Sequence, residues 1–436
     1  MGLLGGFLLT GIRNLVTLNA FLHNPRSTVK RSWYEGIGCG ASRVIVDTGV
    51  PSSPAPHPTI NEFPAFSFIL GDLHPHVLAY PLLLSAIGLA FGQWMANSCS
   101  TPTPCPSLNS EGGTRQFNAL PSPKAGEAPS RLGVGAILPI ALAGTVIGAL
   151  YAENAWDMPT ALLLIAGAVL IPDCRLNRRA VISAASLGIS VLITLLPFAL
   201  HYTSPVGAAI DVMSSPLGAI PGVGVVFRTL GLVVWPKSQL SDLLLIYGLF
   251  LLVILIFVVS LWCSSPSHRQ RPPSMLVALT PVLIIIAFVA HFSALAVFGM
   301  PLLALLWLTW HGERTSAPDF TAWLFGVTFF LILIVEVVFP RDVFGDRMNT
   351  VFKVYFQVWG LLAIAAASAI PPARAAFATR LGRVPASVME AIVALLIAGA
   401  ALYTPISAYH WDKGFATWHG LNWLAYITRS LPPTAR

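Results

Sequence analysis

Asp72, His74 and His76 alternate along Gly71-Asp-Leu-His-Pro-His76, shortly after Asn61-Glu62-Phe63-Pro64, and an apolar run of membrane-spanning length, Val77 to Asn97, follows at once. A carboxylate and two imidazoles at one boundary can move a proton or hold a phosphate. Pro75 suits the first turn of a helix, where its missing N–H costs nothing. Asp72 and His74 then fall beside a helix N-terminus, whose free N–H groups favour an anion. A capped helix start, with histidines bonded to backbone or headgroups, uses the same residues, and both readings stand. Asp72, His74 and His76 also have the ligand chemistry for Mg²⁺ or Mn²⁺ shared with a substrate phosphate, although residues two apart converge on one ion only with help.

Three further groups join them. Glu153 and Asp157 are four apart, on one face if helical, with Asn154 and Trp156 between them and Pro159 opening the next helix. Glu336 lies inside the apolar run Leu331–Phe339. An ionisable group at membrane depth costs about 3 kcal/mol by insertion scales, so it needs a partner or a role, and Arg341 or Arg347 is the expected partner. Arg341, Arg347 and Lys353, with Asn349 among them, form a compact basic group. Arginine binds phosphate through paired hydrogen bonds, so a lipid-linked phosphate is one expected contact. Neutralisation of Glu336, Asp342 and Asp346 is the other.

The elements that must position these residues are membrane helices. The chain is 55% hydrophobic and 10% charged, with mean hydropathy +0.74; a soluble domain carries about 25% charged residues. Apolar runs near 20 residues recur throughout, which predicts an all-α, polytopic transmembrane bundle over residues 1–408. Eleven spans are expected, at 3–22 (interrupted by Arg13), 77–97, 133–152, 158–172, 180–200, 243–262, 275–290, 293–310, 320–339, 352–372 and 388–408. Residues 98–130, rich in Pro, Ser, Thr and Gly, read as a disordered cytoplasmic linker. Residues 221–235 read as a helix lying in the outer interface.

Loop charge sets the orientation. The loops assigned to the cytoplasm hold twelve Lys or Arg, against five in the opposite loops between residues 153 and 353. The net charge of +7 is therefore topological, and its scatter over short loops excludes a nucleic-acid surface. Eight of the ten histidines and the acidic groups above fall on the outer side. Positive-inside bias does not account for histidines and carboxylates; a functional outer surface does. Cys39 alone lies outside, so no structural disulfide is expected, and no CxxC spacing suggests zinc.

The run Asn61-Glu62-Phe63-Pro64 through Gly71-Asp72-Leu73-His74-Pro75-His76 resembles a motif of the YYY membrane-protein family, a domain of unknown function. So do Trp33 with Ser42-Arg43, Asn154-Ala155-Trp156-Asp157-Met158-Pro159-Thr160, and Arg347-Met348-Asn349-Thr350-Val351-Phe352-Lys353. The resemblance spans roughly residues 33 to 424, and its first and last motifs are specific. It implies a fold similar to the C-type glycosyltransferases, which take a sugar from a polyprenyl-phosphate donor at the outer face of the cell membrane. Such proteins are longer at both ends, so the chain is expected to be a fragment. Residues 409–436 would be a truncated outer tail, in which Thr417-Trp418-His419-Gly420 lacks the family's Asp.

On that resemblance Asp72, with Glu62 second, is the expected base on the acceptor hydroxyl. Arg341, Arg347 and Lys353 would stabilise the departing lipid phosphate. His74 and His76 would orient the phosphate or a metal, and Trp156 would stack on a sugar. Two alternatives come from other classes: a transporter or lipid flippase, and a non-catalytic subunit of an envelope assembly. Transport folds tend to carry internal repeats and midplane polar groups. No repeat is visible here, and the ionisable residues gather towards one surface.

Overall fold

The computed structural model describes residues 2–26, 36–53, 55–98, 134–172, 178–202, 230–264, 274–311, 316–342 and 344–411. The linker expected at 98–130 lies, Ser98 aside, outside these residues, as do Trp33 and everything after Trp411. Among the described residues, six helices are long and apolar enough to cross a membrane. Four more apolar helices are shorter.

The first expected span is not one helix. Gly2–Thr10 (α1) and Val16–His23 (α2) are separated by a break at Arg13, which is 1% exposed. Its guanidinium lies 4.1 Å from the Phe63 ring centre and 4.3 Å from that of Tyr403. Two aromatic faces thus take a charge that lipid would reject. Phe63 is the anchor of the Glu-Phe-Pro run, since its ring also meets Phe66 and Trp359.

Next come Ile37–Gly40 (α3), the antiparallel pair Val46–Asp47 (β1) and His57–Pro58 (β2), Pro64–Leu70 (α4), Pro75–Leu78 (α5) and Tyr80–Ser98 (α6). Gly71 ends α4 at φ +67°, a left-handed position that suits glycine and turns the chain into Asp72. Val134–Asn154 (α7), Met158–Leu170 (α8) and Arg178–Ala199 (α9) follow. At 13 residues α8 is about 20 Å long, short of the hydrocarbon core.

Leu230–Leu232 (β3) precedes Leu240–Ser264 (α10), Ser274–Val289 (α11), a π-helical turn at Leu295–Gly299, and Met300–His311 (α12). The interfacial helix expected at 221–235 is therefore corrected: residues 230–232 are a strand, paired antiparallel with Val338–Pro340 (β4). Gly231 sits against the Phe339 ring, and Val50, Val233, Trp235 and Phe339 make a small apolar core there. Residues 221–229 lie outside the described set.

Ala317–Val335 (α13), Met348–Arg380 (α14), Arg383–Ala401 (α15) and Tyr403–Trp411 (α16) complete the order. Helix α14, 33 residues long, is the most buried of the membrane-length helices and packs against α1, α10, α13 and α15. At Gly360 its backbone is approached by Tyr80, whose hydroxyl donates to the Phe356 carbonyl at 3.0 Å; a Cβ at residue 360 would overlap that hydroxyl. This contact docks the start of α6, and the histidines just before it, on the first turns of α14.

Candidate functional site

The site is assembled on an arm. Residues 42–47 run beside 57–62: Thr59 N donates to Ile45 O, Asn61 N to Ser42 O, and Asn61 Oδ1 accepts from the amides of Val44 and Ile45. Asn61 therefore serves the backbone, and the next residue, Glu62, meets Arg43 at 3.4 Å. Burial pushes the Glu62 carboxyl up from its ordinary range, against the opposing pull of Arg43.

Glu62, Asp72 and His76 each offer a ligand atom, and the three atoms lie within 4.8 Å of one another. Asp72 Oδ1 accepts from the His74 amide at 3.2 Å and contacts His74 Nδ1. The His74 side chain is 57% exposed. His76 is 1% exposed, with Phe352 and Phe356 edge-on to its ring at 4.6 and 4.4 Å. Its Nδ1 faces Lys353 Nζ at 3.2 Å, while Nε2 has no hydrogen-bond partner among the described residues. Lys353 is half-buried and lies in the field of Asp157, Glu62 and Asp72.

Asp157 reaches the same neighbourhood from the α7–α8 turn. Helix α7 ends at Asn154, so Glu153 and Asp157 do not share a helical face: Glu153 is exposed, and Asp157 is 1% exposed. Gln357 holds the turn, donating to the Trp156 carbonyl at 2.9 Å and accepting from Thr160 at 2.5 Å. The Trp156 ring is partly buried and packs against the core.

The Asp157 carboxyl is pushed up to about 7 by burial, with Asn154 and Lys353 pulling the other way. Its ordinary value is 3.8. Between these values the unfolded chain has released the proton that the folded chain keeps, so stability falls as pH rises from about 4 to about 7. Thermal midpoints in detergent are expected to decline over that interval, as the unfolding free energy falls by as much as about 1.4 kcal/mol per pH unit from this group alone. Asp157→Asn removes that share of the slope. An identical pH profile in the variant would contradict the assignment.

The expected basic group does not hold together. Arg341 is exposed and donates to the Leu230 carbonyl at 3.3 Å. Asn349 donates to Asp342 at 3.1 Å. Arg347 is wholly buried, with Nε and Nη2 on Asp47 at 3.0 and 2.8 Å and Nη1 on Glu336 at 2.8 Å. Ser238 completes the knot through its amide and hydroxyl to Glu336, at 3.0 and 2.5 Å. Of the two expected partners of Glu336, Arg347 is the one that meets it. With two carboxylates already on its guanidinium and no exposed surface, Arg347 has no edge left for a phosphate. Of the three cations, Lys353 is the one that stands beside the Glu62, Asp72 and His76 cluster.

Sequence reasoning missed Asp47, Ser238 and Gln357, and it singled out Arg43 only within a motif, without its pairing to Glu62. Asp47 carries a signal, an acid in the apolar setting Val44-Ile-Val-Asp47, but its partner is 300 residues away.

Comparison with known proteins comes to one result. The family model described as uncharacterized membrane protein (DUF2298) matches residues 1–362. The chain belongs to that family, and it is a membrane protein of mostly helical fold. No curated protein matches the chain, and no solved structure does.

Proposed function

We propose that this family member is a glycosyltransferase-like enzyme that moves a sugar from a polyprenyl-phosphate carrier to an acceptor hydroxyl. The reaction would take place around the cluster of Glu62, Asp72, His74, His76 and Lys353, at the outer face of the cell membrane. The reading keeps the eleven-span expectation as its topology, with residues 3–22 entering as the broken pair α1–α2.

One observation carries the reading: an exposed imidazole backed by a carboxylate, His74 on Asp72, in the same cluster as the half-buried ammonium of Lys353. With Nδ1 turned to Asp72, His74 presents Nε2 as a proton acceptor. The acceptor oxygen attacks the anomeric carbon and loses its proton to His74. The bond from that carbon to the phosphate oxygen breaks, and its electron pair leaves with the lipid phosphate. Lys353 offsets the charge that grows on that oxygen. Such a displacement inverts the anomeric centre and needs no covalent enzyme intermediate. Arg341, Arg347, Asn349 and Glu336 have no part in it, and neither has stacking on Trp156.

The test uses the purified chain in nanodiscs and a short-chain polyprenyl-phosphate hexose labelled in the sugar. Release of lipid phosphate in step with sugar transfer, to an added alcohol or to water, supports the proposal. Passage of the intact lipid across proteoliposomes without cleavage would make the protein a flippase and overturn it. Neither activity would leave a non-catalytic assembly subunit, which overturns it equally.

A further inference from the structure

We propose that Glu62, Asp72 and His76 form a binding site for one divalent metal ion. Two independent observations meet there. The first is convergence: two carboxylates and an imidazole, drawn from the arm (Glu62), the turn after α4 (Asp72) and α5 (His76), bring their ligand atoms within 4.8 Å of one another. Tetrahedral ligands about 2.1 Å from a common ion stand about 3.4 Å apart, so side-chain movements on the order of an ångström close the site.

The second observation is an unsatisfied group. His76 is 1% exposed and clamped by two phenylalanines, yet Nε2 has no hydrogen-bond partner among the described residues. A buried polar atom left unpaired costs about 1–3 kcal/mol, so the ring is incompletely partnered where it stands, and one of its nitrogens can bond an ion once the Lys353 ammonium gives way. Asp72 can serve two masters, because the contacts from His74 fall on Oδ1 and a second carboxylate oxygen remains. Two oxygens and one nitrogen suit Mn²⁺ or Zn²⁺, with water or a phosphate oxygen filling the open positions.

Lys353 is the resident rival. Its ammonium lies 3.2 Å from His76 Nδ1 and in the field of Glu62 and Asp72, so it offsets the same negative charge that a metal would. Ion and ammonium compete, and removing the lysine charge tightens metal binding. An ion in this place would also grip the phosphate of the donor proposed above. That role rests on the earlier reading, whereas binding of the ion does not.

The experiment measures Mn²⁺ binding to the purified chain in detergent, without lipid substrate, by calorimetry and electron paramagnetic resonance. One saturable site is expected, weakened at least tenfold in Glu62→Gln and in Asp72→Asn, and strengthened at least tenfold in Lys353→Met. Nitrogen coupling to the bound ion is expected in the wild type and absent in His76→Gln. Unchanged thermal midpoints in metal-free buffer separate lost ligands from lost fold, and the Lys353→Met gain cannot arise from misfolding. Absence of a saturable site in both wild type and Lys353→Met would overturn the proposal. So would a site indifferent to Glu62→Gln and Asp72→Asn. Failure of sugar transfer alone leaves the metal result standing.

Discussion

Replacing Arg347 by methionine is expected to destabilise the protein by about 3–5 kcal/mol, while Arg341→Met changes stability by under about 1 kcal/mol. The two arginines are six residues apart and share a charge, but their surroundings differ. Arg341 is exposed and gives one hydrogen bond to a carbonyl. Arg347 is wholly buried between Asp47 and Glu336, which are themselves 1% and 0% exposed. Removing the guanidinium strands two carboxylates away from water, and neither can turn outwards. Asp47→Asn and Glu336→Gln, added to Arg347→Met, cancel the stranded charge and are expected to restore most of the loss. Thermal unfolding and gel-filtration profiles in detergent measure all of these. If Arg347→Met kept its midpoint but lost affinity for a lipid phosphate, the guanidinium would be facing a ligand rather than the knot.

The second large effect concerns the proposed chemistry. Asp72→Asn and His74→Gln are each expected to lower sugar transfer by about 10²–10⁴-fold, the usual share of a positioned proton acceptor. The double variant is expected to lose little more than either single one, because the pair works as one unit. An asparagine keeps the shape of Asp72 but cannot hold the imidazole with Nε2 free to accept. The exposure of His74 keeps folding out of the result. His74→Gln is further expected to retain the metal site, since His74 lies outside the converging trio. Additive losses in the double variant, or transfer at wild-type rates in His74→Gln, would take the pair out of the reaction.

What the sequence disclosed follows from range. The apolar helices from 77 to about 290 are carried by local hydropathy, and their observed bounds fall within a few residues of the expected ones. Helix α14, by contrast, runs eight residues past the expected 372, and the stretch expected at 388–408 starts at 383 and is divided between α15 and α16. The break at Arg13 was visible as a charge in an apolar run, but its cure was not, because Phe63 and Tyr403 lie 50 and 390 positions further on. Residues 230–232 looked helical because an apolar stretch with glycines suits either state; the partner strand at 338–340 decided it. Asp72 and His74 were neighbours in the chain and in space alike. Lys353 and Arg347 share a motif, yet one joins the cluster around His76 and the other is sealed in a knot. Spacing cannot distinguish them, because burial is decided by Asp47 and Glu336 in one case and by His76 in the other.

The knot has a temporal side. Asp47 waits for a guanidinium 300 residues downstream, His57 for an aspartate 289 downstream, and His76 for an amine 277 downstream. A ribosome adding about 5–20 residues per second takes roughly 15–60 s to cover that distance. Through that interval Asp47, His57 and His76 sit at the membrane without these distant partners. Nascent chains stalled before residue 347 should therefore remain open to proteases around residues 42–62, and those released past Lys353 should close.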